Sequence, residues 1–329
     1  TATLNENDVQ EDGPVTTRQE SSARILCSIF LALTAAAALV LSGCSSTPAA
    51  NPASASAAAC PTTPTNIVVT TNVWASVVDQ LVGACANVST VITNSAADPH
   101  DFEPTAETSS LFSSSQLVVM NGLGYDEWAN KIVSSLGADA PPVLNLGDAV
   151  GLKLGANPHI WYSPDYVQKA SVAISAKVKE IDPKSSDYFD TQAASFATAL
   201  KPYLDKIASI KAAYSGTNIG ATETVFNYMA AATGLVITTP PGFIAAIATD
   251  SEPSTRDVAT FREQLSDGTD KVLIFNSQTE GGLPNQMRDV AQSNNVPVVT
   301  ITESLNPADS TFQAWQIAQL DALAQALAT

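Results

Sequence analysis

Short apolar runs alternate with helically spaced segments along most of this chain, and this alternation constrains its fold more than any other feature. The runs that we predict as strands are 66–71, 88–93, 117–120, 143–146, 217–221, 236–238, 271–275 and 296–301. Segments with apolar residues at helical spacing separate them. Strands that alternate with helices form mostly parallel sheets covered by helices. The pattern therefore predicts an α/β fold.

The stretch 164–214 interrupts this alternation, because it has no strand pattern. Apolar residues recur at helical spacing in both of its parts, and Pro202 is expected to kink the second helix or restart it. We therefore expect two similar lobes, 66–163 and 215–329, each a mostly parallel sheet flanked by helices. A long rigid helix within 164–214 would join them.

The front of the chain has the layout of a bacterial lipoprotein signal. Residues 25–41 form an apolar run that is shorter than the about 20 residues a membrane span needs. The run ends at Leu41-Ser42-Gly43-Cys44, which matches a lipobox, so Cys44 would carry the lipid. We assign 1–44 to a leader and signal peptide that ends at this cysteine. An ordinary secretory signal with a chance cysteine, or a single-span anchor, are the alternatives.

A tether is predicted next, because 45–65 is rich in Ser, Ala, Pro and Thr and has no apolar periodicity. It would connect the membrane to the folded body. Beyond the signal, the only cysteines are Cys60 and Cys85. Outside the cytoplasm these two could form a disulfide, and two free buried thiols are the alternative.

The charge of the chain bears on its partners. The net charge is −17, with 15 basic residues in 329. Nothing in the sequence forms a basic stripe, so we expect no nucleic-acid partner. The acidity is compatible with attracting cations, although such a surface usually serves solubility.

The two histidines of the chain stand in similar turns, Asp98-Pro99-His100 and Asn157-Pro158-His159. Imidazole is the commonest nitrogen ligand for transition metals, and the preceding proline stiffens the backbone beside each ring. Either histidine alone could simply cap a turn. Two matching turns in a chain without other histidines instead favour a metal site that uses both.

Four stretches extend this pattern: Asp98-Pro99-His100-Asp101-Phe102-Glu103-Pro104-Thr105, Asn157-Pro158-His159-Ile160-Trp161-Tyr162-Ser163-Pro164, Glu223-Thr224-Val225-Phe226-Asn227-Tyr228 and Thr302-Glu303-Ser304-Leu305. Together they resemble the metal-binding solute-binding lipoproteins (cluster A-I) of bacterial manganese, zinc and iron ABC transporters. The resemblance implies four metal ligands, which are His100, His159, Glu223 and Glu303. Glu223 is expected at a helix start, where backbone amides would orient its carboxylate.

The resemblance also implies which metal is bound. In the family, two histidines with two carboxylates go mainly with manganese or iron, and three histidines with one carboxylate go mainly with zinc. Carboxylate oxygens also suit Mn²⁺, so we favour Mn²⁺ as the cargo. Zn²⁺ and Fe²⁺ stay open, since the affinity of an N/O site rises from Mn²⁺ towards Zn²⁺.

The function implied by the resemblance is transport without catalysis. We expect a monomeric, lipid-anchored protein on the extracytoplasmic face of the cell membrane that delivers a divalent metal to an ABC permease. A zinc-specific binder of the same family, or a surface adhesin with a structural metal, are the alternatives. A metallohydrolase is disfavoured, because four protein ligands would close the open position that hydrolytic water needs. We therefore predict that the chain is not an enzyme.

Overall fold

Two four-stranded sheets form the framework of the protein, and all their strand pairs are parallel. The computed structural model describes residues 59–93, 102–249, 251–279 and 281–329. Both sheets belong to one compact unit, Ala55–Thr329. The predicted signal run 25–41, Cys44 and His100 lie outside the described residues. None of the described helices is both long enough and apolar enough to span a bilayer.

The first sheet has the strand order β2-β1-β3-β4. Its strands are β1 (Thr65–Thr71), β2 (Ala86–Ile92), β3 (Leu117–Met120) and β4 (Val143–Asn145). Its helices are α1 (Asn72–Val82), α2 (Ala106–Ser114), α3 (Glu127–Leu136) and α4 (Leu146–Ala149). Every residue of β3 is buried, as expected for a parallel strand covered on both faces.

Two helices follow, α5 (Pro164–Ile181) and α6 (Ser186–Tyr214). The Ser163 hydroxyl caps α5 by accepting the Tyr166 N–H at 3.3 Å. The 29-residue α6 continues through Pro202 rather than restarting there. Buried Leu200 and Tyr203 flank this proline, so packing on both sides compensates for the one amide that proline lacks.

The second sheet repeats the topology of the first, with the strand order β6-β5-β7-β8. Its strands are β5 (Asn218–Ala221), β6 (Val236–Ile237), β7 (Leu273–Asn276) and β8 (Val298–Ile301). Its helices are α7 (Asn227–Thr233), α8 (Pro241–Ile247), α9 (Thr255–Ser266), α10 (Gly282–Ser293) and α11 (Phe312–Leu327). The predicted α/β fold with two similar lobes and a long helix is confirmed.

We call the chain up to Ser163 the first lobe and the chain from Ser215 the second lobe; the lobe boundaries themselves stay a prediction. The largest apolar cluster includes Val69 of β1, Tyr203 of α6 and Ile274 of β7. One core therefore runs through both lobes, and pulling them apart would expose apolar surface at a cost in free energy.

A disulfide joins Cys60 to Cys85, with their Cα atoms 4.9 Å apart. Cys60 precedes β1, and Cys85 lies in the short 3-10 helix before β2. The bond therefore fixes the chain where it enters the first lobe, close to the first residues of β1 and β2.

Candidate metal site

His159 is buried at the contact between the lobes, with 4% of its surface exposed. Its Nδ1 lies 2.8 Å from Asn157 Oδ1, and its backbone N–H donates to the same oxygen at 3.0 Å. An amide oxygen only accepts hydrogen bonds, so Nδ1 carries the hydrogen. Nε2 is thereby turned towards the second lobe, where it lies 3.3 Å from Glu303 Oε2.

The loop that carries His159 is held from both lobes. Asn157 Nδ2 donates to the Thr224 carbonyl at 2.8 Å, and the Tyr228 hydroxyl donates to the Asn157 carbonyl at 2.9 Å. From the first lobe, Asn121 Nδ2 donates to the Pro158 carbonyl at 3.0 Å. These bonds fix the orientation of the imidazole relative to the second sheet.

Glu223 and Glu303 follow two strands of the second sheet. Glu223 comes after β5, and Glu303 comes after β8. The expectation that Glu223 begins a helix was wrong, because α7 begins only at Asn227. The chain first turns to bury Val225 and Phe226 in the core, which delays the helix. Strand ends, and not a helix N-terminus, therefore position both acids.

Asn276, the last residue of β7, connects the two acids. Its Nδ2 donates to Glu223 Oε1 and, at 2.8 Å, to Glu303 Oε1. The second oxygen of Glu303, Oε2, accepts the Tyr125 hydroxyl of the first lobe at 3.0 Å. Glu303 is thus bound from both lobes, and only 12% of its side chain is exposed.

The two acids differ in their pKa values. Burial raises the pKa of Glu223, and repulsion from Glu303 raises it further. Burial acts in the same direction on Glu303, but the charge of His159 and hydrogen bonds from His159, Tyr125 and Asn276 outweigh it, so the pKa of Glu303 is lowered. Glu303 therefore loses its proton more readily than Glu223 does, and a cation would favour loss of the proton from Glu223.

The structure brings together three of the four residues predicted as ligands, namely His159, Glu223 and Glu303. His100 lies outside the described residues. Within the described ranges, no group of three or more His, Cys, Asp or Glu side chains is arranged to hold a metal ion. Since His159 Nε2 and Glu303 Oε2 face each other directly, a cation would have to separate this pair and take its place.

Sequence reasoning missed two residues of the site. No sequence feature marks Tyr125 as a site residue, because a single aromatic residue in a turn is most often part of the core. For Asn276 there is a weak sequence feature, since it ends an apolar run at the carboxyl end of a strand. Trp161 packs against the site, with its ring centroid 5.3 Å from that of His159.

Comparisons with known proteins give a family and a fold. Residues 67–326 match the family described as ZnuA, zinc-uptake complex component A, periplasmic. The chain is 25% identical over 200 residues to the high-affinity zinc uptake system protein ZnuA of Bacillus subtilis (strain 168), an alignment that covers 55% of this chain and 61% of that protein. This chain thus spans less than two thirds of that relative's length.

A second relative is the manganese ABC transporter substrate-binding lipoprotein PsaA of Streptococcus pneumoniae serotype 4, which is 22% identical over 294 residues, covering 80% of this chain and 89% of that protein. Among solved structures, the SBP FpvC of P. aeruginosa in complex with Ni²⁺ has a TM-score of 0.66 and 19% identity, covering 80% of this chain and 97% of that chain. At this identity the likeness shows the fold alone.

Proposed function

This chain belongs to the ZnuA family, and on that premise we propose that it captures a divalent transition metal between its lobes and passes it to an ABC permease. The resemblance predicted from the four motifs is confirmed at the level of the family. Members of the family are solute-binding proteins and not enzymes, as predicted for this chain. The metal is cargo in this proposal and takes part in no reaction.

The approach of His159 to Glu303 carries the proposal. Their facing atoms, 3.3 Å apart, belong to different lobes, and a hydrogen-bonded amide links Glu303 to Glu223. Two carboxylates would neutralise a divalent cation, so the ion could be buried without an uncompensated charge. We assign His100 as the fourth ligand from its motif.

We favour Mn²⁺ as the cargo, because two of the assigned side chains offer carboxylate oxygens. Relatives are named for zinc and for manganese, so their names do not decide between the two. Zn²⁺ should compete with Mn²⁺ in solution, since an N/O site binds it at least as tightly. The affinity of such a site for Fe²⁺ falls between its affinities for Mn²⁺ and Zn²⁺.

We place the protein outside the cytoplasm, anchored to the membrane by a lipid on Cys44. The predicted tether, 45–65, would then connect the anchor to the first lobe, and the disulfide of Cys60 lies within it. Its partner would be a permease, which receives the cation when docking separates the His159 side of the site from the Glu303 side. A monomer suffices for this role, since both lobes come from one chain.

The adhesin alternative, in which the metal is structural, is not favoured. Direct bonds already hold the lobes together: Asn72 Oδ1 accepts the Leu305 N–H at 3.2 Å, and the side-chain amides of Gln80 and Gln313 bond to each other reciprocally at 2.9 and 3.1 Å. A cation is therefore not needed to join the two lobes. This leaves capture and release as the better use of the site.

Calorimetric titration of the metal-free full chain with MnCl₂ and with ZnCl₂ tests the proposal. Glu303→Gln keeps the shape of the side chain but removes its charge, and we expect it to weaken binding of either metal at least about tenfold. His100→Gln tests the ligand assigned from its motif in the same way. Glu263→Gln, on the exposed surface of α9, is the matched control and should bind like the wild type.

The titrations distinguish failure of the assigned site from failure of the proposed function. Unchanged affinity in Glu303→Gln would reject the site, and absence of binding by the wild type would reject the function. Elemental analysis of protein purified from its native membrane, followed by competition between the two metals, would identify the cargo.

A further inference from the structure

The topology of the second sheet places Asn276 between the two acids of the site. In the order β6-β5-β7-β8, strand β7 pairs with β5 on one side and with β8 on the other. Glu223 follows β5, Glu303 follows β8, and Asn276 ends β7. In a parallel sheet the carboxyl ends of neighbouring strands lie at the same edge, so the residue that ends the middle strand can reach both sides.

Asn276 has one fixed orientation. Its backbone N–H donates to Thr222 Oγ1 at 3.2 Å, and its side-chain Oδ1 accepts the Gln278 N–H at 3.1 Å. Because Oδ1 is bound in this way, the NH₂ group must face the acids. The residue is 1% exposed, so water does not compete for these bonds.

A single nitrogen therefore serves two carboxylates. The amide NH₂ has two hydrogens, and Nδ2 donates to Oε1 of Glu223 and to Oε1 of Glu303. Two buried carboxylates this close repel each other, and a shared donor offsets part of that repulsion. Since the amide carries no charge, it would not repel an arriving cation as a lysine or arginine would.

The loop that carries Glu303 is fastened to the same segment. Gln278 Oε1 accepts the N–H groups of Glu303 at 2.7 Å and of Ser304 at 3.0 Å. Asn276 and Gln278 thus bind the side chain and the backbone of Glu303 from one turn after β7. The turn thus holds this acid from within the second lobe, in addition to its contacts with the first lobe.

We propose that Asn276 is a positioning residue that presets both acids for the cation. It fixes one oxygen of each carboxylate and leaves the other two for the metal and for contacts with the first lobe. Presetting reduces the cost of ordering the ligands on binding, and outer groups of this kind contribute about 10- to 100-fold in metal affinity. This inference rests on the proposed function.

The test compares Asn276→Ala with Asn294→Ala in the full chain. Asn294 is exposed at the end of α10, where its Nδ2 donates to the Val290 carbonyl at 2.8 Å and to Ser266 Oγ of α9 at 3.5 Å, so its loss affects surface contacts away from the two acids. We expect the first variant to lose about tenfold or more in Mn²⁺ affinity by calorimetry, and the second to match the wild type. The electron paramagnetic resonance spectrum of bound Mn²⁺ should also broaden or shift in Asn276→Ala only, because the ligand geometry changes.

Two further variants separate positioning from folding. Asn276→Gln keeps the NH₂ group and should therefore recover part of the affinity and of the wild-type spectrum. If Asn276 had only a structural role, restoring the NH₂ donor would not restore Mn²⁺ affinity. If circular dichroism shows that Asn276→Ala does not fold, the nearly isosteric Asn276→Leu, which lacks the donor and adds no charge, replaces it in the spectroscopic comparison. Wild-type affinity and spectrum in the folded donor-less variant would overturn the inference, while a wild-type chain that binds neither Mn²⁺ nor Zn²⁺ would overturn the proposed function instead.

Discussion

The hydroxyl of Tyr125 donates to Glu303 Oε2 at 3.0 Å, although the two residues belong to different lobes. The same oxygen faces His159 Nε2 at 3.3 Å. Tyr125 also packs against Trp161, with ring centroids 4.8 Å apart. A rigid aromatic group of the first lobe therefore holds an acid of the second lobe where a cation would bind.

Replacing Tyr125 with phenylalanine removes the hydroxyl but keeps the ring. Glu303 would then keep Asn276 and its contact with His159 but lose the hydroxyl donor that the first lobe supplies, so we expect the affinity for Mn²⁺ to fall by about tenfold. Stopped-flow measurement of metal release should show a faster dissociation. Tyr188→Phe is the control: its hydroxyl accepts the Ala84 N–H, and it should leave release unchanged. Equal release rates in all three proteins would show that Tyr125 does not hold the site.

Much of the fold could be predicted from the sequence, because its strands are short apolar runs with clear ends. β3 has the predicted bounds, 117–120, and each of its residues is buried. Helix α8 was missed, because Pro240-Pro241-Gly242 is typical of a turn. The structure places Pro241 in the first helical turn, where its missing N–H costs nothing.

The candidate site was less accessible to sequence reasoning. His159 and Glu303 could be found because their motifs are local, whereas Tyr125 and Asn276 act through contacts between distant parts of the chain. The start of α7 was misplaced for a related reason. Burial of Phe226 in the core, which is a tertiary effect, decides where that helix begins.

Gly122 lies where a side chain does not fit, and its substitution should be costly. Its φ is +77°, and a Cβ there would come 2.0 Å from Asn145 Oδ1, which caps α4 by accepting the Asp148 N–H. Gly151 has a φ of +87° with open space around it, so Gly151→Ala isolates the backbone strain. We expect losses in unfolding free energy of about 1 kcal/mol for Gly151→Ala and clearly more for Gly122→Ala, measured by urea unfolding. Equal losses would mean that Asn145 moves aside freely.

Loss of the Cys60–Cys85 disulfide should lower stability without changing the metal site. The cysteines are 25 residues apart in sequence, and closing a loop of that size stabilises a protein by about 3 kcal/mol. We expect a Cys60→Ala, Cys85→Ala double variant to unfold at lower urea concentration and to bind Mn²⁺ normally. The wild type under reductant should behave like the variant, and the variant should not respond to reductant. A wild type that does not respond either would show that the bond contributes nothing to stability.

Asp270 should make the protein less stable as the pH rises through mild acidity. It is 1% exposed, and burial raises its pKa to about 6. A hydrogen bond from Thr238 lowers this pKa, and the charge of Asp267 raises it. Between pH 4 and pH 6 the folded state therefore binds more protons at this position than the unfolded state, so stability from this group is present below about pH 4 and is lost as the pH rises to 6. Asp270→Asn keeps an acceptor for Thr238 and removes the titration, so at pH 7 we expect it to be more stable than the wild type by about 1 kcal/mol, with a flatter dependence on pH. Urea unfolding of the metal-free chain between pH 4 and 7 measures the free energy of unfolding, with the exposed Glu263→Gln as the control. If Asp270→Asn keeps the wild-type dependence of this free energy on pH, Asp270 is already ionised in the folded protein.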